Sequence, residues 1–341
     1  MKNKVLLGLS GGVDSSLAAL LLKEAGYEVV GVYLYSNLSR DESDAAKAAA
    51  DFCGIPLEIE DISAELEEKV CSYFVREYCL GRTPSPCIVC NPNVKFKALF
   101  NAAEKFGADF VSTGHYARIG LTSGGEKAVF CGVGRNDQSY MLCRMPAESY
   151  ERLIFPLGEL SKDMVRAMAE ERNIPTAQKP DSMEICFIPE GDRVEFIEKR
   201  LSGTENLSGC FTDGDGKTIA PHKGIHHYTV GQRKGLGIAL GYPAYVSKID
   251  PKTNSVVLRP SGGEYSTEIS VSDCMWHISC GERFKADIRV RHSAGFTRGT
   301  VIKDGNGAKL VFPDGVRAAA PGQFAVFYVD GAIVGSGVIE G

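Results

Sequence analysis

Two groups of residues in this chain have the types and spacing to do chemistry. The first is the run Gly8, Leu9, Ser10, Gly11, Gly12, Val13, Asp14, Ser15, Ser16. Glycines let the backbone approach an anion closely, consecutive amides can converge on it, and the N-terminus of a following helix adds a favourable dipole. Ser10, Gly11, Gly12, Ser15 and Ser16 suit phosphate oxygens, and Asp14 either binds Mg2+ or orders the loop. No Gly-Lys-Ser/Thr follows, so this is not the loop that grips the terminal phosphates in P-loop NTPases. A serine-capped glycine turn is the plain structural alternative. The second group is thiols: Cys87 and Cys90 on the proline-stiffened loop GRTPSPCIVCN, and Cys186 about a hundred residues later in DSMEICFI.

The elements that must position these groups read as two different textures. Up to about residue 115 the chain alternates apolar strands with helices. The strands are expected at Val5–Leu9, Val29–Leu34, Leu57–Ile59 and Phe110–Thr113, with helices at Ser15–Ala25, Ser43–Phe52, Ala64–Tyr78 and Val94–Phe106 and a Pro-rich loop at 83–92. Such alternation predicts an α/β domain with a parallel sheet covered on both faces, and in such sheets ligands sit beyond the carboxyl ends of the strands. The phosphate-loop candidate follows the first strand and opens the first helix. After about residue 200 helical periodicity disappears, glycine is frequent, and short alternating segments such as Ser255–Arg259 and Lys309–Phe312 are separated by turn signals. The expected division is a catalytic domain at 1–201, a small central domain at 202–265 and a C-terminal β-barrel at 266–341.

With 341 residues, 44% hydrophobic and 24% charged, the chain can form packed cores. The Met1-Lys-Asn-Lys start leads into too few apolar residues for a signal peptide, and no run approaches membrane-spanning length, so a cytoplasmic protein without membrane association is expected. Eleven cysteines is an odd and high number for such a chain, which argues against a full set of structural disulfides. Cys53, Cys71, Cys131 and Cys143, set among apolar residues, read as small core side chains. A net charge of −5 argues mildly against a nucleic-acid partner, but the charge is unevenly placed. Residues 217–248 carry five Lys or Arg and no Asp or Glu, and residues 283–303 carry six basic residues against one acid. Two such stretches suit an RNA backbone, or they are solvated faces of an ordinary domain.

The string SGGVDSS resembles the SGGxDS loop of the ATP pyrophosphatases, the PP-loop enzymes with the adenine nucleotide alpha hydrolase-like fold, which hold pyrophosphate while the α-phosphorus is attacked. Further strings extend the likeness along nearly the whole chain: GRTPSPxxxCNPNVKF, STGHYAR at 112–118, NDQSYML at 136–142, FPLGELSK at 155–162, KPDSMEICFI at 179–188, HYTVGQRKGLGI at 227–238 and PGQFAVFY at 321–328. Together they resemble the bacterial tRNA-uridine 2-sulfurtransferases, or tRNA-specific 2-thiouridylases.

That resemblance implies adenylation of the wobble uridine at O2 by ATP, followed by sulfur transfer to C2. Gly8 to Ser16, Leu34 and Gly114 would bind ATP, although Leu34 reads equally well as a core strand residue. Cys90 would be the catalytic thiol and Cys186 the persulfide carrier, with sulfur supplied by a cysteine desulfurase or a sulfur-relay protein. Ser85, Pro86, Cys87 and His115 would border the flipped uridine. Asn136, Asp137 and Gln138, with Gln232, Arg233, Arg289, Arg291 and Gln323, would contact a tRNA, those for Glu, Gln and Lys being the implied substrates. His115 without its motif would read as a cap or core histidine.

One position departs from the family pattern: Cys87 stands where an aspartate is usual. A CxxC with a distant third cysteine can supply three thiolates to a [4Fe-4S] cluster. A persulfide relay with Cys87 as spectator, a cluster on Cys87, Cys90 and Cys186, and a structural zinc completed by Cys79 or His115 therefore stay open. Outside the family, an amidotransferase using the same loop would leave Cys90 and Cys186 without a task. A non-catalytic RNA-binding or iron–sulfur carrier would leave the loop unexplained.

Overall fold

The computed structural model describes residues 3–180, 185–188, 191–201 and 207–341. Asp181, Ser182, Met183 and Glu184, next to Cys186, lie outside the described residues. The chain divides into two compact units: Met1–Val70, Cys87–Gly191 and Asp330–Ile333 form one, and Cys71–Pro86, Asp192–Val329 and Val334–Gly341 form the other.

The first unit is built on a parallel sheet of β1 (Lys4–Gly8), β2 (Glu28–Tyr35), β3 (Leu57–Asp61), β4 (Phe110–Thr113) and the short strand Leu153–Ile154, in the order β3, β2, β1, β4, Leu153–Ile154. β1 is central, with Gly8 paired to Val32 on one side and to Thr113 on the other. Val5, Leu6 and Leu7 are wholly buried, as expected for a strand covered on both faces. The order reverses direction between β1 and β4, which makes the crevice beyond their carboxyl ends the place for a ligand. Helix α1 (Val13–Glu24) turns Leu17, Ala18 and Leu22 onto the sheet, and α2 (Ser43–Cys53) ends at Gly54 in the left-handed conformation, φ 60°. A hairpin of Ala117–Leu121 and Lys127–Cys131, not anticipated from the sequence, follows β4.

The segment expected as a Pro-rich loop at 83–92 is helical at Pro86–Cys90 and continues through a wide π-turn, Asn91–Lys95, into the helix Phe96–Phe106. Pro86 occupies the first helical position, where its missing N–H is no loss. Pro92 falls inside the helical run, where its ring would clash with the carbonyl four residues back, and the backbone widens there. Cys87 and Cys90 consequently lie three residues apart on a helix, on the same face, and not on an extended loop.

In the second unit a four-stranded sheet orders Ala244–Asp250, Ser255–Pro260, Gly209–Thr212 and Thr218–His222 over a core centred on Phe211, Val246, Val256 and Leu258. Beyond it, Tyr265–Trp276, Gly307–Arg317, Thr297–Asp304, Arg283–Arg289 and Phe324–Val329 are neighbours in that order, and Val271 pairs with Ile339 to close a barrel. Ile288, Val301, Leu310, Phe312 and Phe327 fill its interior. The early segment Cys71–Pro86 packs with this unit: Phe74 meets Phe196 edge to face, and Thr83 N–H donates to the Pro321 carbonyl at 2.7 Å. Of the four cysteines expected in cores, Cys53, Cys71 and Cys143 are buried, whereas Cys131, at the end of a hairpin strand, is half-buried.

Candidate active site

A cavity of about 390 Å3 opens at the carboxyl ends of β1 and β4. Gly8, Leu9, Ser10, Asp14 and Ser15 line one side, Leu34 and Gly114 another, and Cys90, Cys186, Lys95, His115 and Gln138 complete it. Of the residues expected to hold ATP, Gly11, Gly12, Val13 and Ser16 do not line the cavity. Gly11 has φ 75°, and a Cβ there would stand 2.6 Å from the backbone of Ala45 and Ala46, so its task is to let the loop pass against α2. Ser16 is fully buried and donates its hydroxyl to the Gly12 carbonyl at 2.9 Å. Ser10 and Ser15 bond one another, Oγ to Oγ at 3.2 Å, and the Ser15 Oγ also accepts from Ser10 N–H at 3.2 Å. These two hydroxyls face the opening and can be redirected to an anion.

Asp14, in the first turn of α1, is fixed from two directions. Lys162 donates to both its oxygens at 2.8 Å, and the Tyr116 hydroxyl donates to Oδ1 at 2.6 Å. Lys162 is the first residue of the helix Lys162–Glu171, positioned by the Ser161 cap, whose side chain accepts from Met164 N–H. A cation at a helix N-terminus is disfavoured by the dipole, and the Asp14 carboxylate offsets this. The carboxylate thus acts as the loop's anchor. The Asp14 side chain is 32% exposed and lines the cavity, so an Mg2+ ion there would share the carboxylate with Lys162. Sequence reading assigned no task to Lys162 or Tyr116 although both sit inside quoted motifs; only the fold puts residue 162 beside residue 14.

The three thiols share one electrostatic neighbourhood. Cys90 is half-buried, while Cys87 and Cys186 are exposed. Cys87 is not among the cavity-lining residues. Loss of hydration pushes Cys90 up from 9.0 to about 11, with Lys95 pulling the other way and Cys186 and Cys87 adding repulsion. The same desolvation raises Cys87 and Cys186, again opposed by Lys95. At neutral pH all three are therefore thiols until a base, a sulfur donor or a metal takes the proton. His115 is stripped of water and pushed down to about 3, so it is neutral; its Nδ1 lies 2.6 Å from Thr113 Oγ1 and its ring stacks on Phe96. It is half-buried, set against Phe96 and Phe155, and forms part of the cavity wall.

The segment expected at RNA splits by role. Asn136 is exposed. Asp137 is instead buried, with Oδ1 accepting from Gly132 and Ser139 N–H at 2.8 and 3.0 Å. An acidic side chain facing phosphates would be repelled, and this one ties the turn. Gln138 accepts from Tyr116 N–H at 3.0 Å and lines the cavity.

In the second unit, Gln232 accepts from Thr229 N–H at 3.1 Å and donates to the Lys234 carbonyl at 2.9 Å, leaving Arg233 and Lys234 exposed on the turn it organises. Gln323 donates to the Thr83 and Pro84 carbonyls at 2.9 and 3.1 Å, holding the approach to half-buried Ser85 and buried Pro86. Along Arg283–Arg289 the strand period turns Ala286 and Ile288 inward and Arg283, Lys285 and Arg289 outward. Arg289 is half-buried, with its guanidinium 4.2 Å from the Phe296 ring centroid, and Arg291 follows just beyond the strand.

Three family models cover the chain in sequence: a tRNA methyl transferase HUP domain matches residues 3–190, a tRNA methyl transferase PRC-barrel domain residues 194–259, and an aminomethyltransferase beta-barrel domain residues 266–339. A parallel-sheet nucleotide fold followed by two β domains is thus the class. The chain is similar to tRNA-specific 2-thiouridylase MnmA 2 of Clostridium botulinum, 42% identical over 351 residues covering 99% of each. It is 41% identical to tRNA-specific 2-thiouridylase MnmA of Carboxydothermus hydrogenoformans, with 99% of this chain and 98% of that one covered. With tRNA-specific 2-thiouridylase MnmA of Acetivibrio thermocellus it shares 39% identity, with 99% of both covered. The chain belongs to the tRNA-specific 2-thiouridylase family.

Proposed function

We propose that this chain is a tRNA-uridine 2-sulfurtransferase that adenylates the wobble uridine, position 34, at O2 and then places sulfur on C2. The observation that carries the reading is that one cavity is lined by Ser10 and Ser15 of the glycine loop together with Cys90 and Cys186. An ATP-activating loop and two thiols facing one space suit a reaction that makes a leaving group and then displaces it with sulfur. Methyl transfer, the activity in the family-model descriptions, requires neither.

In the first step uridine O2 attacks the α-phosphorus and pyrophosphate leaves, held by the loop amides and the Ser10 and Ser15 hydroxyls. The base stands in a single-stranded loop, so presenting it costs little. In the second step the terminal sulfur of a Cys186 persulfide attacks C2 and AMP leaves. Cys90 thiolate then attacks the Cys186 Sγ, its electron pair forming the Cys90–Cys186 disulfide while the S–S bond to the base breaks and leaves the thiocarbonyl. A dithiol reductant returns both cysteines to thiols. Lys95 is the group beside Cys90 and Cys186 that favours their thiolate forms.

A second reading rests on Cys87. Cys87 and Cys90 share one face of the helix Pro86–Cys90, and a [4Fe-4S] cluster bound by Cys87, Cys90 and Cys186 would supply an open iron site for hydrosulfide. The remainder of the proposal is a catalytic domain at 1–201, a central domain at 202–265 and a barrel at 266–341, Arg233, Arg289 and Arg291 on the tRNA, substrates for Glu, Gln and Lys, a cysteine desulfurase or relay protein as donor, and a cytoplasmic location. Among the described residues no helix is long and apolar enough to cross a membrane.

The test is mass analysis of tRNA nucleosides from cells lacking this protein, complemented with wild type or variants. Wobble 2-thiouridine is expected to vanish in the deletion and to return with wild type but not with Cys90→Ala or Cys186→Ala. Restoration by either variant would sink the mechanism.

A further inference from the structure

In the second unit, one group of side chains has the composition and spacing of a metal site and is not used by the proposed reaction. Glu198 ends the helix Arg193–Glu198, and His226 and His227 lie on the single turn Ile225–His227. Among the described residues they are the one set of three or more His, Cys, Asp or Glu whose ligand atoms all come within 4.8 Å of one another. We propose that Glu198, His226 and His227 bind one divalent transition-metal ion, zinc by preference, with water in the fourth position.

The distances carry the assignment. Both His226 Nε2 and His227 Nε2 lie 3.4 Å from the same oxygen, Glu198 Oε1. The His226 contact is a hydrogen bond, a long one against the best range of about 2.7–3.2 Å. Both distances match the edge of a tetrahedron whose metal–ligand bonds are ~2.0–2.1 Å, an edge of about 3.3–3.4 Å. His227 Nε2 is out of contact with solvent and makes no hydrogen bond of acceptable geometry. His226 is only 3% exposed, so its nitrogen has no bulk water to turn to. Two imidazoles and a carboxylate are a donor set that suits zinc, and a three-residue set leaves one position open.

The surroundings hold the ligands in place. Arg193 donates to the His227 carbonyl at 2.9 Å and to the Tyr78 hydroxyl at 3.1 Å, fixing the turn from below. Gly224, at φ 142°, makes room for the His226 ring: a Cβ there would stand 2.5 Å from His226 Cε1. Lys199 pairs with Glu195 at 2.7 Å. The C-terminal end of the helix, which Glu198 closes, carries the negative end of the dipole and favours a cation. The consequence of binding is structural: the ion ties this helix to the turn that leads into Thr229 and Gln232, the segment presenting Arg233.

The test uses the full chain with Cys87, Cys90 and Cys186 replaced by Ser, which removes the three clustered thiols as competing ligands, stripped with chelator and titrated with ZnCl2. One Zn2+ per chain is expected at micromolar or tighter affinity, and Co2+ in its place should show visible d–d bands without sulfur-to-metal charge transfer. Glu198→Gln and His227→Ala should each weaken Zn2+ at least ~10-fold. Glu198 is half-exposed, so the Gln variant is expected to keep the wild-type circular dichroism. Zn2+ should raise the Tm of the parent by at least ~2 °C and leave Glu198→Gln unmoved. No binding at 100 µM Zn2+, or binding equally tight in both variants, would overturn the site.

Discussion

At the scale of single residues the cavity sets thiols against each other and against one cation. Cys90, pushed up to about 11, holds a thiolate fraction at pH 7 of about 1 in 10,000. Its alkylation by iodoacetamide should therefore rise close to tenfold per pH unit from 7 to 10, and Lys95→Gln should slow it at every pH, because the cation that favours the thiolate is gone. Cys87→Ala separates the two routes of sulfur. Retention of most 2-thiouridine leaves Cys87 a spectator, whereas complete loss, with absorbance near 400 nm lost from anaerobically purified protein, makes it a cluster ligand. His115 gives a second pH signature. Its folded value of about 3 lies below the unfolded 6.5, so the unfolded chain takes up the proton first on acidification. The stability His115 contributes is complete above pH 6.5 and is lost as pH falls toward 3. Urea midpoints measured from pH 7 to 4 should fall less steeply in His115→Gln than in wild type.

Among elements, the glycine loop and the helices around it are where the backbone is most constrained. Gly11 and Gly12 look interchangeable in the string SGGVDSS, yet their surroundings differ. A methyl at Gly11 meets the α2 backbone at 2.6 Å in a left-handed conformation, while the nearest atom to a methyl at Gly12 is Ser10 Oγ at 3.4 Å, with φ −84°. Gly11→Ala should cost about 1–3 kcal/mol in chemical denaturation and Gly12→Ala less than about 1 kcal/mol. Lys162→Ala, made on another helix, should leave the Asp14 carboxylate partly unpaired and raise the KM for ATP several-fold with a smaller effect on global stability, read by steady-state pyrophosphate release. The strand–helix alternation that positions this loop was legible because apolar runs and periodic helices are local signals. The helical state of Pro86–Cys90 was not, because proline reads as a loop signal unless it falls at the first helical position, which only the fold establishes.

Over the whole molecule, a chain of net charge −5 has to bind a polyanion through local excess. On the proposed reading, the outward Arg283, Lys285 and Arg289, with Arg291 and the exposed Arg233, would provide that excess without changing the total. Arg233→Ala and Arg291→Ala should weaken tRNA binding and lower the slope of log K against log salt by about 0.7–0.9 for each phosphate contact removed, measured by filter binding across salt concentrations. Asp287 sits between these cations and pairs with Arg298 at 3.0 Å, so Asp287→Asn should strengthen binding slightly at low salt.

The sequence by itself determined the glycine loop on a first strand and helix, the three thiols, the α/β-then-β order and the two basic stretches, because each is written in neighbouring residues. The tertiary structure decided what depends on distant ones. It joined Lys162 and Tyr116 to Asp14, turned Ser16 and Asp137 inward, and aimed Cys90 and Cys186 into the cavity while Cys87 stayed off its wall. It also packed Cys71–Pro86 with Asp192–Val329 and brought Glu198 within 3.4 Å of two histidines. Side-chain chemistry is carried by residue type, but burial, pairing and pKa are set by which parts of the chain fold against one another.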